Sequence, residues 1–400
     1  MSEQIVRQAV VLAGGMGMRL RPFTEKEPKP MYPVGEKPFI GHLMGQIKAF
    51  GIENVLLLLG YKANSIMDYL GDGKNFGLHI SYDVTPVEFQ TGDRIFHAKD
   101  KLEPFFMLMY CDNYCPINFD KLREDFFSHN ALAQVSVYEN RDHYTKSNIR
   151  TGEDGKVLIY DKRRTAADLE GVDIGYAMIR RELLGQLPRD GGSFEEAAYS
   201  FAAAQGRMFA TITKHRYYSI GSWERMELTR KFFENRPTVF LDRDGTVNVK
   251  APKACYIENS GQFVWLEGAK EAVRLLKENG FRVLMVTNQP GIARGNLTGD
   301  TLEAIHKKMQ RDLEQIGAEI DKIYYCPHDW EEGCECRKPR PGMLYQAQKD
   351  YHLDLTKCIM IGDDERDMAA GRAVGCKTCQ VTEQRNLLQI VKEIVKGKQE

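Results

Sequence analysis

Two carboxylates one residue apart, Asp242 and Asp244, follow a short apolar run, Val239-Phe240-Leu241, and precede a Gly245-Thr246 turn. In an extended strand, residues two apart project from the same side, so both acids face one space. Gly245 lets the chain turn sharply beside them. An aspartate is ionised at neutral pH without help and can attack phosphorus to form an aspartyl-phosphate. The second acid can then give and take the proton. Downstream, Thr287-Asn288-Gln289 ends another apolar run with hydroxyl and amide groups suited to phosphate oxygens. Arg337-Lys338-Pro339-Arg340-Pro341 supplies cations held by prolines. Gly362-Asp363-Asp364-Glu365-Arg366-Asp367 closes a third apolar run with acids. Taken alone, an acidic turn after a buried strand would account for Asp242 and Asp244; the motifs that follow in order weigh against that.

A separate set of donors lies in one loop. Cys326, His328, Cys334 and Cys336 make a Cys₃His set. That number and type of ligands suits a closed structural Zn²⁺ site. The alternative is a cluster of reduced, solvent-facing thiols. The loop runs directly into Arg337-Lys338, so a metal there would fix the substrate-facing cations rather than do chemistry.

The N-terminal half carries other phosphate-directed features. An apolar run from Gln8 to Leu12 leads into Gly14-Gly15-Met16-Gly17-Met18-Arg19. A glycine-rich turn after a strand lets backbone N–H groups approach phosphate. Glu27-Pro28-Lys29-Pro30 then holds Lys29 in an extended loop, where it can stabilise a transferring phosphoryl group. Phe105 to Tyr110 is a second apolar run, ending at Cys111-Asp112.

These elements call for α/β architecture. At 400 residues two domains are expected, and 42% hydrophobic residues can build a core for each. Trp223 to Glu234 reads as a charged helix that Asn235-Arg236-Pro237 ends. The expected domains are residues 1–235 and 236–400. A formal charge of −1 gives no bulk electrostatic case for nucleic acid or an anionic membrane. The N-terminus lacks a basic segment followed by an apolar one long enough for a signal or a membrane span. A cytoplasmic protein with reduced cysteines is therefore expected.

The N-terminal pattern resembles the sugar-1-phosphate nucleotidyltransferases, the group of mannose-1-phosphate guanylyltransferase and glucose-1-phosphate thymidylyltransferase, over most of residues 5–230. The resemblance implies that Gly14, Gly15, Gly17 and Arg19 hold a nucleoside triphosphate and that Lys29 stabilises its α-phosphate. It also implies that Asp112 binds Mg²⁺, that Asp161-Lys162 contacts the sugar and its phosphate, and that Gln90-Thr91-Gly92 lies where the base is read. Three residues depart from the pattern: Met18, Cys111, and above all Ser219, where the family has a second metal-binding aspartate. Val172-Asp173-Ile174-Gly175-Tyr176 stands where the family usually has an Asn-Ala-Gly-Ile-Tyr-like strand.

The C-terminal motifs, over about residues 238–385, resemble the haloacid dehalogenase superfamily of phosphohydrolases. By that resemblance Asp242 is the nucleophile and Asp244 the general acid and base. Thr287 and Lys338 bind the phosphoryl group. Asp242, the Asp244 carbonyl and Asp363 hold Mg²⁺, with Asp364 or Asp367 in support. The segment before Thr287 is too short for a large cap, and Arg294 lies where it could meet substrate. The Cys₃His loop narrows the resemblance to D-glycero-D-manno-heptose-1,7-bisphosphate 7-phosphatases and histidinol-phosphate phosphatases, and Pro341-Gly342-Met343-Leu344 is nearer the former.

Together the halves imply two Rossmann-like sheets and a bifunctional enzyme. One domain removes the distal phosphate of a heptose bisphosphate. The other transfers a nucleotidyl group, GMP from GTP, to the heptose 1-phosphate. The implied cofactors are Mg²⁺ and structural Zn²⁺, and the partners are small molecules, with no nucleic acid or membrane; oligomeric state, homo-oligomer included, is left open. Two alternatives remain. One is a histidinol-phosphate or other small phosphomonoester phosphatase fused to an unrelated transferase. The other is a phosphatase carrying a silent, regulatory N-terminal module.

Overall fold

A computed structural model describes residues 5–188, 192–252 and 255–399. The chain divides into two compact units, Met1–Phe233 and Glu234–Glu400.

The first unit is built on a seven-stranded sheet of β1 (Gln8–Ala13), β2 (Asn54–Leu59), β3 (His79–Val84), β4 (Phe105–Tyr110), β5 (Ala133–Tyr138), β6 (Val172–Arg180) and β7 (Met208–Thr213). Their spatial order is β7-β5-β6-β4-β1-β2-β3. β1 runs parallel to β2 and β4, whereas β6 is antiparallel to β4 and β5. Every residue of β1 is buried. A strand covered on both faces must be apolar throughout, which is why Ala9 to Ala13 shows no alternation.

The second unit holds a five-stranded, all-parallel sheet of β8 (Thr238–Leu241), β9 (Arg282–Asn288), β10 (Lys322–Cys326), β11 (Ile359–Gly362) and β12 (Lys377–Gln380). Its order is β10-β9-β8-β11-β12. β8 is therefore the strand from which the chain winds first one way and then the other. The crevice beyond the C-terminal end of such a strand is where open α/β sheets bind ligand. Helices α1 (Ala269–Glu278), α2 (Gly299–Glu314), α3 (Gly342–Tyr351) and α4 (Glu365–Ala373) connect these strands. In α1 the residues Ala269, Ala272, Val273 and Leu276 are buried, a helical spacing that packs one stripe on the sheet. Among the described residues no helix is long and apolar enough to cross a membrane.

Candidate active sites

At the C-terminal end of β8 the sheet places Asp242 7% exposed. Gly245 turns the chain with φ +92°, and a Cβ there would lie 2.4 Å from Asp363 Oδ2. Glycine is thus required both by the turn and by the approach of the β11 loop. Lys338 Nζ sits 2.6 Å from Asp242 Oδ1, 2.6 Å from Asp367 Oδ1 and 2.7 Å from the Val286 carbonyl. A lysine only 3% exposed keeps its charge because two carboxylates surround it. Burial works against the charge of Asp242 and raises its pKa, with Lys338 opposing and Asp367 adding to the rise.

Asp244 accepts from Arg243, from Asn248 Nδ2 at 3.0 Å and from Gln289 Nε2 at 2.9 Å. Burial pushes its pKa up, but the Arg243 charge and the donated hydrogen bonds outweigh this and hold it below the usual range. Gln289 Nε2 also reaches Thr287 Oγ1 at 3.0 Å, so the hydroxyl faces the same space. Asp363 completes the group: its Oδ2 meets Lys250 Nζ at 2.7 Å, while its Oδ1 is buried without a hydrogen-bond partner. Oxygens of Asp242, Asp363 and Asp367 lie within 4.8 Å of one another. A buried, unpartnered carboxylate oxygen beside two more carboxylates is a donor set that suits a hard divalent cation.

All the residues expected at this site from the sequence converge on one cavity of about 470 Å³. Asp364 and Asp367 separate in role. Asp364 caps α4 and pairs with Arg366, whereas Asp367 turns inward to Lys338. Arg294 lines the cavity, but its guanidinium is already paired with Asp329 at 2.7 and 2.8 Å.

The four donors of the Cys₃His loop come together. Cys326 Sγ lies 3.6 Å from Cys334 Sγ and 3.6 Å from His328 Nδ1; Cys336 Sγ lies 3.5 Å from Cys334 Sγ and 3.3 Å from His328 Nδ1. A tetrahedron with Zn–S of about 2.3 Å and Zn–N of about 2.1 Å has edges only slightly longer than these. Arg337 Nη1 donates to the His328 carbonyl at 3.3 Å, tying the loop to the cation segment.

In the first unit, Gly14, Gly15, Gly17, Arg19, Lys29, Asp112 and Lys162 all line one cavity of about 490 Å³, with Gln90 and Thr91. Lys29 Nζ pairs with Asp112 Oδ2 at 2.6 Å. The Ile220 N–H donates to the Asp112 carbonyl at 3.0 Å, so the segment bearing Ser219 lies beside Asp112. Among the described residues that line this cavity, Asp112 is the single carboxylate. Asp161 is engaged within its own loop. Its carboxylate accepts from the N–H groups of Arg163, Thr165 and Ala166 and so braces its own loop.

Two residues went unread in the sequence. Glu195, 6% exposed, gathers Lys162 at 3.2 Å, Ser193 at 2.7 Å, Thr91 at 2.9 Å and the Tyr110 hydroxyl. Arg94, 3% exposed, donates to the carbonyls of Gly14, Leu59, Pro86 and Val87 and to the Thr85 hydroxyl. Both come from segments without a motif, where only the fold shows what they hold.

Comparison with known proteins agrees with this geometry. Residues 158–375 match the family model described as haloacid dehalogenase-like hydrolase. The chain belongs to that family. The match begins within the first compact unit, but β8, the strand that leads into Asp242, is the first strand of the second sheet. Residues 8–158 match the model described as nucleotidyl transferase. The hydrolase portion is similar to the D-glycero-beta-D-manno-heptose-1,7-bisphosphate 7-phosphatase of Yersinia pestis, 42% identical over 149 residues, covering 36% of this chain and 78% of that one. The enzyme of the same name from Pseudomonas aeruginosa is 36% identical over 163 residues, covering 41% and 90%. Among solved structures, HddC from Yersinia pseudotuberculosis is 25% identical with a TM-score of 0.50, covering 57% of this chain and all of that one. This hydrolase is thus an enzyme joined to a nucleotidyltransferase domain.

Proposed function

We propose that the chain makes a nucleotide-activated heptose in two steps. The C-terminal site removes the 7-phosphate of D-glycero-D-manno-heptose 1,7-bisphosphate. The N-terminal site then transfers a nucleotidyl group, GMP from GTP, to the heptose 1-phosphate and releases pyrophosphate. The observation that carries this reading is the Asp242–Lys338–Asp367 cluster in a domain 42% identical to a heptose bisphosphate phosphatase. The first product is the acceptor that a sugar-1-phosphate nucleotidyltransferase needs.

In the phosphatase, Asp242 Oδ attacks phosphorus and the bond to the sugar oxygen breaks. Asp244 supplies the proton to that oxygen, then takes one from the water that hydrolyses the aspartyl-phosphate. Thr287 and Lys338 hold the phosphoryl oxygens. Asp242, Asp363 and the Asp244 carbonyl would hold Mg²⁺, which lowers the repulsion between carboxylate and phosphate. In the transferase, the Gly14–Gly17 loop and Arg19 cradle the triphosphate while Lys29 faces the α-phosphate. Asp112 would hold Mg²⁺ together with the phosphates themselves, a usual arrangement for that ion. Lys162, braced by Glu195, faces the acceptor. Cys326, His328, Cys334 and Cys336 would hold a structural Zn²⁺. A cytoplasmic location keeps those thiols reduced.

The test is product analysis after incubation with the heptose bisphosphate, Mg²⁺ and each of GTP, ATP, CTP and UTP. Phosphate, pyrophosphate and a single nucleotide-heptose are expected, with GTP as donor. Phosphate alone with every nucleotide would overturn the transferase half. Ser219 beside Asp112 is the observation that favours that second reading.

A further inference from the structure

Strand alternation sends Arg243 to the opposite side from Asp242 and Asp244. Its side chain is nonetheless among the largest fully buried ones, 1% exposed, and its guanidinium curls back onto Asp244. Nε and Nη2 donate to Asp244 Oδ1 at 3.2 and 3.0 Å, and Nη2 to Oδ2 at 2.9 Å. Asn248 and Gln289 add one bond to each oxygen. Nη1 points the other way, 3.4 Å from His306 Nε2 on α2. Arginine has no acceptor, so the imidazole must be neutral and must accept there. The guanidinium plane is pinned at both ends.

Every group on Asp244 in this arrangement is a donor. The clamp therefore suits the carboxylate and offers nothing to a protonated acid. We propose that Arg243 is a positioning residue for the second half of the phosphatase reaction, with His306 as its anchor. It holds Asp244 as the acceptor for the proton of the attacking water. When water attacks the phosphorus of the aspartyl-phosphate, its proton goes to Asp244, the bond from phosphorus to Asp242 breaks, and inorganic phosphate leaves. In the first half, Asp244 gives up a proton, and the clamp then takes hold of the carboxylate that results. The proposal rests on the assignment of Asp242 as nucleophile and Asp244 as acid and base.

The experiment uses the full chain with Mg²⁺ and p-nitrophenyl phosphate, which releases nitrophenol in the first step and phosphate in the second. Arg243→Lys is expected to lower kcat about a hundredfold, the range of a lost proton-transfer group. KM should fall in parallel, so kcat/KM stays within about threefold. A pre-steady-state burst of nitrophenol should appear, with a phosphoryl group on the peptide containing Asp242 after acid quench. Equal loss of kcat and kcat/KM without a burst would overturn the proposal, as would an unchanged kcat. If Arg243→Lys does not fold, His306→Leu and His306→Gln give the same readout. Leu should produce a smaller burst, and Gln, which can still accept, should abolish it; identical behaviour of the two would overturn the anchor. Asp244→Asn separates this from the underlying reading. If that variant keeps wild-type kcat, the assignment of Asp244 itself fails.

Discussion

The side-chain amide of Asn288 grips the backbone of Lys338 from both sides: Nδ2 donates to the Lys338 carbonyl at 3.0 Å, and Oδ1 accepts from the Lys338 N–H at 3.0 Å. The amide thus mimics a neighbouring strand and joins the end of β9 to the lysine loop. Asn288→Leu leaves two backbone groups unpaired, which costs about 1–3 kcal/mol for a buried group. Thermal unfolding should show that loss. The kcat/KM for p-nitrophenyl phosphate should fall about tenfold or more as Lys338 shifts.

Lys338→Met leaves Asp242 and Asp367 buried without their cation. Breaking such a cluster costs about 3–5 kcal/mol at neutral pH. Asp242 already has a pKa raised to about 6 with the lysine present. A carboxylate raised in the folded state gives up stability as pH rises through that value. The variant should therefore recover part of its deficit as pH falls from 7 to 5, read as the difference in denaturant midpoint from wild type.

His306 behaves in the opposite sense. Burial first, then the Arg243 charge, hold its pKa down to about 4. Above pH 6.5 it is neutral in both folded and unfolded chains and contributes no slope. As pH falls from 6.5 towards 4 the unfolded chain takes the proton and the folded one does not, so stability is lost. The full gap corresponds to roughly 3 kcal/mol. His306→Gln should flatten the stability profile across that window, measured by urea unfolding at each pH.

The Zn²⁺ proposed for Cys326, His328, Cys334 and Cys336 would brace the segment that carries Arg337 and Lys338, and its removal should loosen that segment. Metal analysis should find about one zinc per chain, the ratio of a closed Cys₃His site. Chelation, or Cys334→Ser, should lower the melting temperature of the second unit by on the order of 10 °C, given the several kcal/mol such sites contribute.

The glycine loop of the first unit divides into two kinds of position. A Cβ on Gly14 would lie 2.3 Å from the Arg94 guanidinium carbon, whereas one on Gly15 meets nothing within 4 Å. Gly14→Ala should cost about 1–3 kcal/mol by overpacking and weaken nucleotide binding. Gly15→Ala should leave stability unchanged. Calorimetric titration with GTP and Mg²⁺ on both variants checks the contrast.

Local pattern alone determined the two α/β halves, the apolar strands ending in Asp112, Asp242 and Asp363, and the Cys₃His loop. Those signals are short-range: alternation, buried runs and turn residues act within a few positions, so they are readable without a fold. The residues that brace the sites were not legible. Arg94 and Glu195 sit in no motif. Arg243 and Asn288 sit inside motifs whose spacing says nothing of what their own side chains hold, because the fold alone curls Arg243 back onto Asp244 and brings Lys338 to Asn288. Asp364 and Asp367 are both acids near one strand end, and only the start of α4 turned one outward as a cap and the other in to Lys338. The sequence carries no sign that the Asp161 carboxylate accepts from three backbone N–H groups of its own loop. A carboxylate's role depends on which donors reach it in space, and that is decided by tertiary packing.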